Sequence, residues 1–168
     1  MQVLDINNLA HEPKLNFQFY RQTLDDKELK DGSTDGFTNL VQGLLDGNVD
    51  MIVAAYYHSF AYYKRAQPAE TDVEEALEDT VFKDDASTDA AFEDIIKSLN
   101  KNDFLARKLS EFIKNSNKNA DAVQDQIDQT DDKDRRQALT IGLQSMQDEI
   151  NQLKKWTSTT ESSSKPEE

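Results

Sequence analysis

Cysteine is absent from this sequence of 168 residues. That excludes disulfides, thiolate metal sites and a cysteine nucleophile, and it fits a reducing cytoplasm. Long apolar runs are absent too. The most apolar stretch, Val49 to Phe60, carries Asp50 and His58 and is too short to cross a bilayer. Residues 1–14 have neither the basic start nor the apolar run of a secretory signal, so a soluble chain with no membrane partner is expected. The five glycines occur singly, which leaves no Gly-rich phosphate loop. Basic charge is scarce: 19 Lys and Arg stand against 33 Asp and Glu, a net charge of −14. Phosphate backbones demand the opposite sign, so nucleic acid is not expected as a partner. Hydrophobic residues make up 36%, below the roughly 45–50% (glycine included) of ordinary domains. Part of the chain is therefore expected to have no core of its own.

What is present is concentrated. Five of the eight residues from Tyr56 to Tyr63 are aromatic, namely Tyr56, Tyr57, Phe60, Tyr62 and Tyr63. They fall late in a helical pattern that starts at Asn48 and stops before Pro68. Val49, Val53, Tyr56, Phe60 and Tyr63 alternate spacings of four and three, which predicts a core stripe. Ile52, Tyr57 and Tyr62 lie off that stripe. A helix apolar most of the way round is central to a core or covered by another chain, and Tyr57 and Tyr62 suit an interface because an aromatic ring there keeps a polar tip.

Elsewhere the pattern is helical in short pieces. Leu15, Phe17 and Phe19 alternate like a strand and could pair with Val3–Ile6 as a small hairpin. Phe17, Tyr20, Arg21 and Leu24 also carry helical spacing. The expectation is a short extended start passing into a helix that ends near Asp26. Phe37, Leu40, Val41, Leu44 and Leu45 mark an amphipathic helix ended by Gly47, and Asn48 is a suitable N-cap for the next. Thr71-Asp72-Val73-Glu74 reads as a capping box that restarts the chain after Pro68. Phe92, Ile95, Ile96 and Leu99 mark another helix, and Leu105, Leu109, Phe112 and Ile113 one more. Beyond Ser116-Asn117-Lys118-Asn119 the character changes. Leu139, Leu143, Met146, Ile150 and Leu153 form a narrow seam in a Gln-rich background, weakened by Gly142. Such a seam needs a partner: the preceding helix, a second copy or a different protein. The last stretch, Thr157–Glu168, is expected to be a disordered tail.

Charge is divided along the chain. From Glu70 to Asp94 eleven carboxylates face one lysine, Lys83. From Lys97 to Lys118 six basic residues face Asp103 and Glu111. These are either solvated helix faces or opposite poles that let copies associate head to tail. No catalytic pattern accompanies them. His58 among tyrosines reads as a packed residue, and His11 lies beside Pro13 in a loop. Neither has zinc-helix spacing. Carboxylates crowded on an exposed acidic helix lack the shielding that acid–base catalysis needs. Asn115–Asn119 mimics a calcium loop but lacks its glycine and final glutamate. No enzyme activity, cofactor or metal is expected.

The order and spacing of several motifs resemble the tail assembly chaperones of long-tailed, siphovirus-like phages of Gram-positive bacteria. They are residues 15–21 (LNFQFYR), Gly36-Phe37 with Leu40 to Leu45, and Gly47-Asn48-Val49 with its apolar helix. Gln67-Pro68 leading to Asp72-Val73-Glu74 follows, then Asp94–Lys97 through Phe104–Leu109. Members often open with a hairpin on an Asn-Gly turn; that turn is missing here, where Asn7-Asn8 is followed by Leu9-Ala10-His11-Glu12-Pro13. The resemblance implies a non-enzymatic, mostly helical protein of the host cytoplasm, absent from the finished virion. It would bind the tape measure protein, keep it soluble, and help recruit tail tube (major tail) subunits. It also implies a longer product of programmed frameshifting, for which the end of this chain would be the junction.

The expected architecture is all-α, mainly helical. A compact multi-helix domain over residues 1–118, with room for a short N-terminal β-hairpin, would be followed by a helical, coiled-coil-like region over 119–156 and a tail over 157–168. The candidate partner-binding residues are Tyr57, Tyr62, Leu139, Leu143, Met146, Ile150 and Leu153. Charge alone supports a rival reading, an acidic helical decoy or regulator that masks a basic nucleic-acid-binding protein. That reading leaves the aromatic helix and the seam unexplained.

Overall fold

The computed structural model describes residues 1–158, so the sequence reading of 159–168 lies outside the described residues. Of the described residues 72% are helical, and they include one small antiparallel hairpin near the start. It divides into two compact units, Met1–Ala106 and Arg107–Glu168.

The first unit opens with β1 (Leu4–Ile6) and β2 (Leu9–His11), paired Leu4 to His11 and Ile6 to Leu9. Asn7 and Asn8 turn the corner at φ 56° and 63°. A tight hairpin requires two left-handed residues there, and asparagine tolerates that conformation best after glycine. Asn-Asn therefore does the work of the Asn-Gly turn. Of the two readings open for Leu15–Phe19 the helical one holds: Phe17 and Phe19 are helical, and the strand partner of β1 is β2. His11 is accordingly a strand residue rather than a loop residue.

Helix α1 spans Phe17–Asp25, ending where the spacing places it. Asn16 caps it, its side-chain oxygen accepting the Gln18 and Phe19 amides at 2.8 and 3.1 Å. That cap outweighs the strand-like alternation, because it satisfies two amides that a strand would leave to other partners. Phe19 and Thr23 face inward. Helix α2, Gly36–Leu45, is capped by Asp35 and buries Phe37, Leu40, Val41, Leu44 and Leu45, the expected face. Its first residue has to be glycine: a Cβ at Gly36 would sit 2.0 Å from the Thr23 carbonyl oxygen. Gly47, at φ 73°, ends the turn beyond α2.

Helix α3 runs only from Asp50 to Ser59. Asn48 accepts the Asp50 amide at 3.0 Å. The single helix expected up to Pro68 is broken. Ser59 Oγ donates back to the Tyr56 carbonyl at 2.6 Å, a local bond that competes with helical continuation. A 3-10 segment follows, Ala61–Ala66, kinked at Lys64 (φ 56°, ψ −115°). The core stripe is also rotated. Ile52, Ala55, Tyr56 and Ser59 are buried, with Phe60 just past the helix end, while Val49 is exposed and Val53 and Tyr63 are half-buried. The break at Phe60 changes the phase on which the longer stripe depended.

Helix α4 (Glu70–Glu78) starts one residue before the proposed capping box, and no side chain caps it. Glu70 and Asp72 in its first turn complement the helix dipole instead. It packs on β1 and α3 through Val73 and Leu77. Helix α5 (Asp85–Asn100), capped by Asp84, buries Phe92, Ile95, Ile96 and Leu99. Asn102 caps α6, accepting the amides of Phe104 and Leu105.

Helix α6 spans Asp103–Gln129. The change of character beyond Ser116–Asn119 is not marked by a break in the helix. Those residues are helical, and Asn117 donates its side-chain amide to the Ile113 carbonyl. Within the second unit α6 turns at Thr130–Asp132 into α7, Lys133–Ser158, so Thr157 and Ser158 are helical rather than tail. Asp132 caps α7. Ala120, Leu143 and Ile150 form the centre of this unit, with Ile113, Val123 and Ile127 packed against it. Ile113 and Ala120 on one helix, like Leu143 and Ile150 on the other, are two turns apart, as an antiparallel helical hairpin requires.

Candidate functional site

Two concavities meet at one buried side chain, His58. The Ser59–Phe60 break leaves Tyr57 and His58 on the last turn of α3, facing the end of α1. His58 Nε2 lies 2.8 Å from Asp26 Oδ2 and Nδ1 lies 3.2 Å from Gln22 Oε1. Gln22 Nε2 donates to Gln67 Oε1, and Gln67 Nε2 donates to the Tyr57 carbonyl. That last bond fixes the amide directions of the whole chain. Burial pushes the His58 pKa down, and Asp26 opposes the shift without cancelling it. The neutral ring has one N–H for two acceptors, and the nearer, charged Asp26 holds it on Nε2. The histidine thus ties α1 to α3.

One concavity, about 500 Å³, is lined by Gln18, Arg21, Gln22, Asp25, Asp26, Tyr57, His58 and Ala61. It is polar, with one aromatic wall. The other, about 320 Å³, has Leu29, Met51, Val53 and Ala54 among its lining, together with Asp26, Glu28, Asp50, Glu70 and Glu74. Burial and then the neighbouring carboxylates of Glu28, Glu74 and Asp26 raise the Glu70 pKa. Among the described residues no group of three or more His, Asp or Glu is placed to hold a metal ion.

The sequence-derived candidates are dispersed. Tyr57 is half-buried, its ring 5.2 Å from that of His58, and it lines the larger concavity. Tyr62 is engaged within the chain. Its hydroxyl donates to the Glu12 carbonyl at 2.8 Å, Lys14 Nζ sits 4.6 Å over its ring, and the Tyr63 ring is 4.3 Å away. Burial and the Tyr63 hydroxyl hold its pKa above the usual value. On α7, Leu143, Ile150 and Leu153 are buried and Leu139 and Met146 half-buried. The preceding helix therefore supplies the seam's partner at Leu143 and Ile150. The sequence reading missed Asp26 and Gln22, which lie 32 and 36 residues from His58, and Gln67, 10 residues from Tyr57, because spacing carries no signal for such distant groups.

A second surface is aromatic. Phe17, the first residue of α1, is 57% exposed. Its ring meets Phe104 edge-on at 5.3 Å, Tyr20 meets Phe104 at 5.0 Å, and Tyr20 meets the buried Phe37 at 5.2 Å.

A family model described as phage tail assembly chaperone protein, TAC, matches residues 3–114. No curated protein and no solved structure matches the chain. The matched span includes the hairpin, helices α1 to α5 and the first part of α6, which is the region that builds both concavities and the aromatic surface. This chain belongs to the phage tail assembly chaperone family.

Proposed function

We propose that this chain is the tail assembly chaperone of a long-tailed phage of a Gram-positive host. It acts in the host cytoplasm without catalysis and is absent from the finished virion. Its client is the tape measure protein, which it keeps soluble while tail tube subunits are recruited, and its copies self-associate. A longer frameshifted form would carry the tube contact. The observation that carries this reading is the family match over residues 3–114. That span also supports treating 1–118 as the chaperone domain and 119–156 as an appended helical region.

The candidate contacts follow from exposure. Tyr57 on the larger concavity and the half-buried Leu139 and Met146 are reachable as they stand. Tyr62 is reachable at its ring. Leu143, Ile150 and Leu153 are buried, so a client reaches them only by displacing what covers them. Substituting Asp at Leu143 or Ile150 would place a charge inside the second unit and unfold it. Leu139→Asp with Met146→Asp, and Tyr57→Asp separately, are the cleaner probes.

The test is co-expression with the tape measure protein of the same phage, reading how much of it stays soluble and co-purifies. Wild type should hold it at low and at high salt, because apolar contacts survive screening. The Tyr57 or the Leu139/Met146 variant should lose most of it with the helical circular dichroism unchanged. If both variants hold the client as wild type does, these contacts are wrong. If binding is confined to low salt and to basic nucleic-acid-binding proteins, the decoy reading replaces the chaperone.

A further inference from the structure

We infer that the aromatic patch of Phe17, Tyr20 and Phe104 docks the acidic helix α4 of a second copy of this chain, joining copies head to tail. The inference deepens the self-association in the function proposed above and rests on it. Phe17 is 57% exposed, yet its ring is held by an edge contact to Phe104 and a tilted contact to Tyr20 at 6.3 Å. Such a ring loses little freedom when a partner covers it, and fixed aromatics are the usual anchors of interfaces. Two basic residues lie beside the patch in sequence, with the exposed Asp103 between Lys101 and Phe104. Arg21 lies one turn along α1 from Phe17, and Lys101 lies three residues before Phe104. Both are exposed, and among the described residues neither has a carboxylate within ion-pair distance.

Helix α4 is the complement. Glu70, Glu74, Glu75 and Glu78 are all exposed, and none has a basic partner within ion-pair distance among the described residues. Phe82, half-buried just beyond the helix, supplies an apolar contact beside the charge. In one chain α1 packs on α2 and α3, whereas α4 packs on β1 and α3. Phe17 stands at the far end of α1 from Asp26 and the acidic concavity, roughly 13 Å away at 1.5 Å per residue. The two surfaces differ from each other, so the joint is heterologous and repeats from copy to copy.

Sedimentation velocity of the full chain over a wide concentration range tests this. Wild type should assemble at low salt and dissociate at high salt. Phe17→Asp should weaken association by roughly tenfold or more, as expected for loss of an aromatic anchor, and Glu74→Lys with Glu75→Lys should do the same. Each variant keeps one good surface. Mixed, they should form a dimer that stops at two copies. A wild type that remains monomeric overturns the joint, as does assembly unaffected by Phe17→Asp or a mixture that stays monomeric. Client solubility measured on the same samples separates the two proposals. A monomeric wild type that still holds the tape measure protein overturns the joint alone, whereas an assembling wild type that does not hold it upholds the joint and overturns the chaperone reading.

Discussion

Lys64 adopts φ 56° and ψ −115° in the 3-10 segment between α3 and α4, a region that costs a residue with a Cβ about 1–3 kcal/mol. Glycine relieves that strain but loses more entropy on folding. Lys64→Gly should therefore raise stability by a net of about 1 kcal/mol, read as a higher urea midpoint with an unchanged slope; a lower midpoint would contradict the strain. His58 sets a pH dependence. Its folded pKa is depressed by burial, so the unfolded chain binds more protons between that value and the ordinary one near 6.5. The contribution is fully present above about pH 6.5 and is lost as pH falls below it, by at most about 1.4 kcal/mol per unit. Urea midpoints measured from pH 7.5 down to pH 5.5 should fall for wild type and fall less for His58→Gln. That His58 would be packed was legible from its tyrosine neighbours. Its tie to Asp26 was not, because the pairing depends on how α1 crosses α3.

Elements differ in how far local rules decide them. The face and the end of helix α2 were legible, since its apolar spacing and Gly47 agree and every expected face residue is buried, whereas the Asp35 cap emerged only in the structure. Helix α5 was similarly clear from Phe92 to Leu99. The hairpin was half-legible: an extended start was evident, but the Asn7-Asn8 turn selected Leu9–His11 over the more strand-like Leu15–Phe19. Helix α3 was misread in length and phase because one serine bond ends it at Ser59. Two glycines test opposite sides of this logic. Gly36→Ala should cost about 3 kcal/mol, because its Cβ meets the Thr23 carbonyl and α2 cannot withdraw from α1 without opening the core. Gly142 lies inside α7 with nothing within 4 Å of a Cβ, so Gly142→Ala should stabilise by about 1 kcal/mol from helix propensity alone. Thermal denaturation of the two variants should move in opposite directions.

For the whole molecule, the charge division is the property that acts at longest range. Under the function proposed above, a net charge of −14 would keep a client complex soluble, and its uneven placement would give copies a means of joining. One salt titration separates the two roles: added salt should dissociate assemblies held by α4 against Arg21 and Lys101, and should leave an apolar client bound.

Composition and spacing by themselves determined the helical class, the absence of a phosphate loop, the acidic and basic segments, and the order of motifs that carries the family. All of these rest on interactions within about one helical turn or on sums over residues. Tertiary structure alone decided which tyrosines remain reachable, what covers the α7 seam, and that His58, Asp26 and Gln22 meet between two concavities. The physical reason is that burial and partner choice are set by residues tens of positions apart. Backbone events of a single residue, at Ser59, Asn7-Asn8 and Lys64, decide which of those distant groups come together.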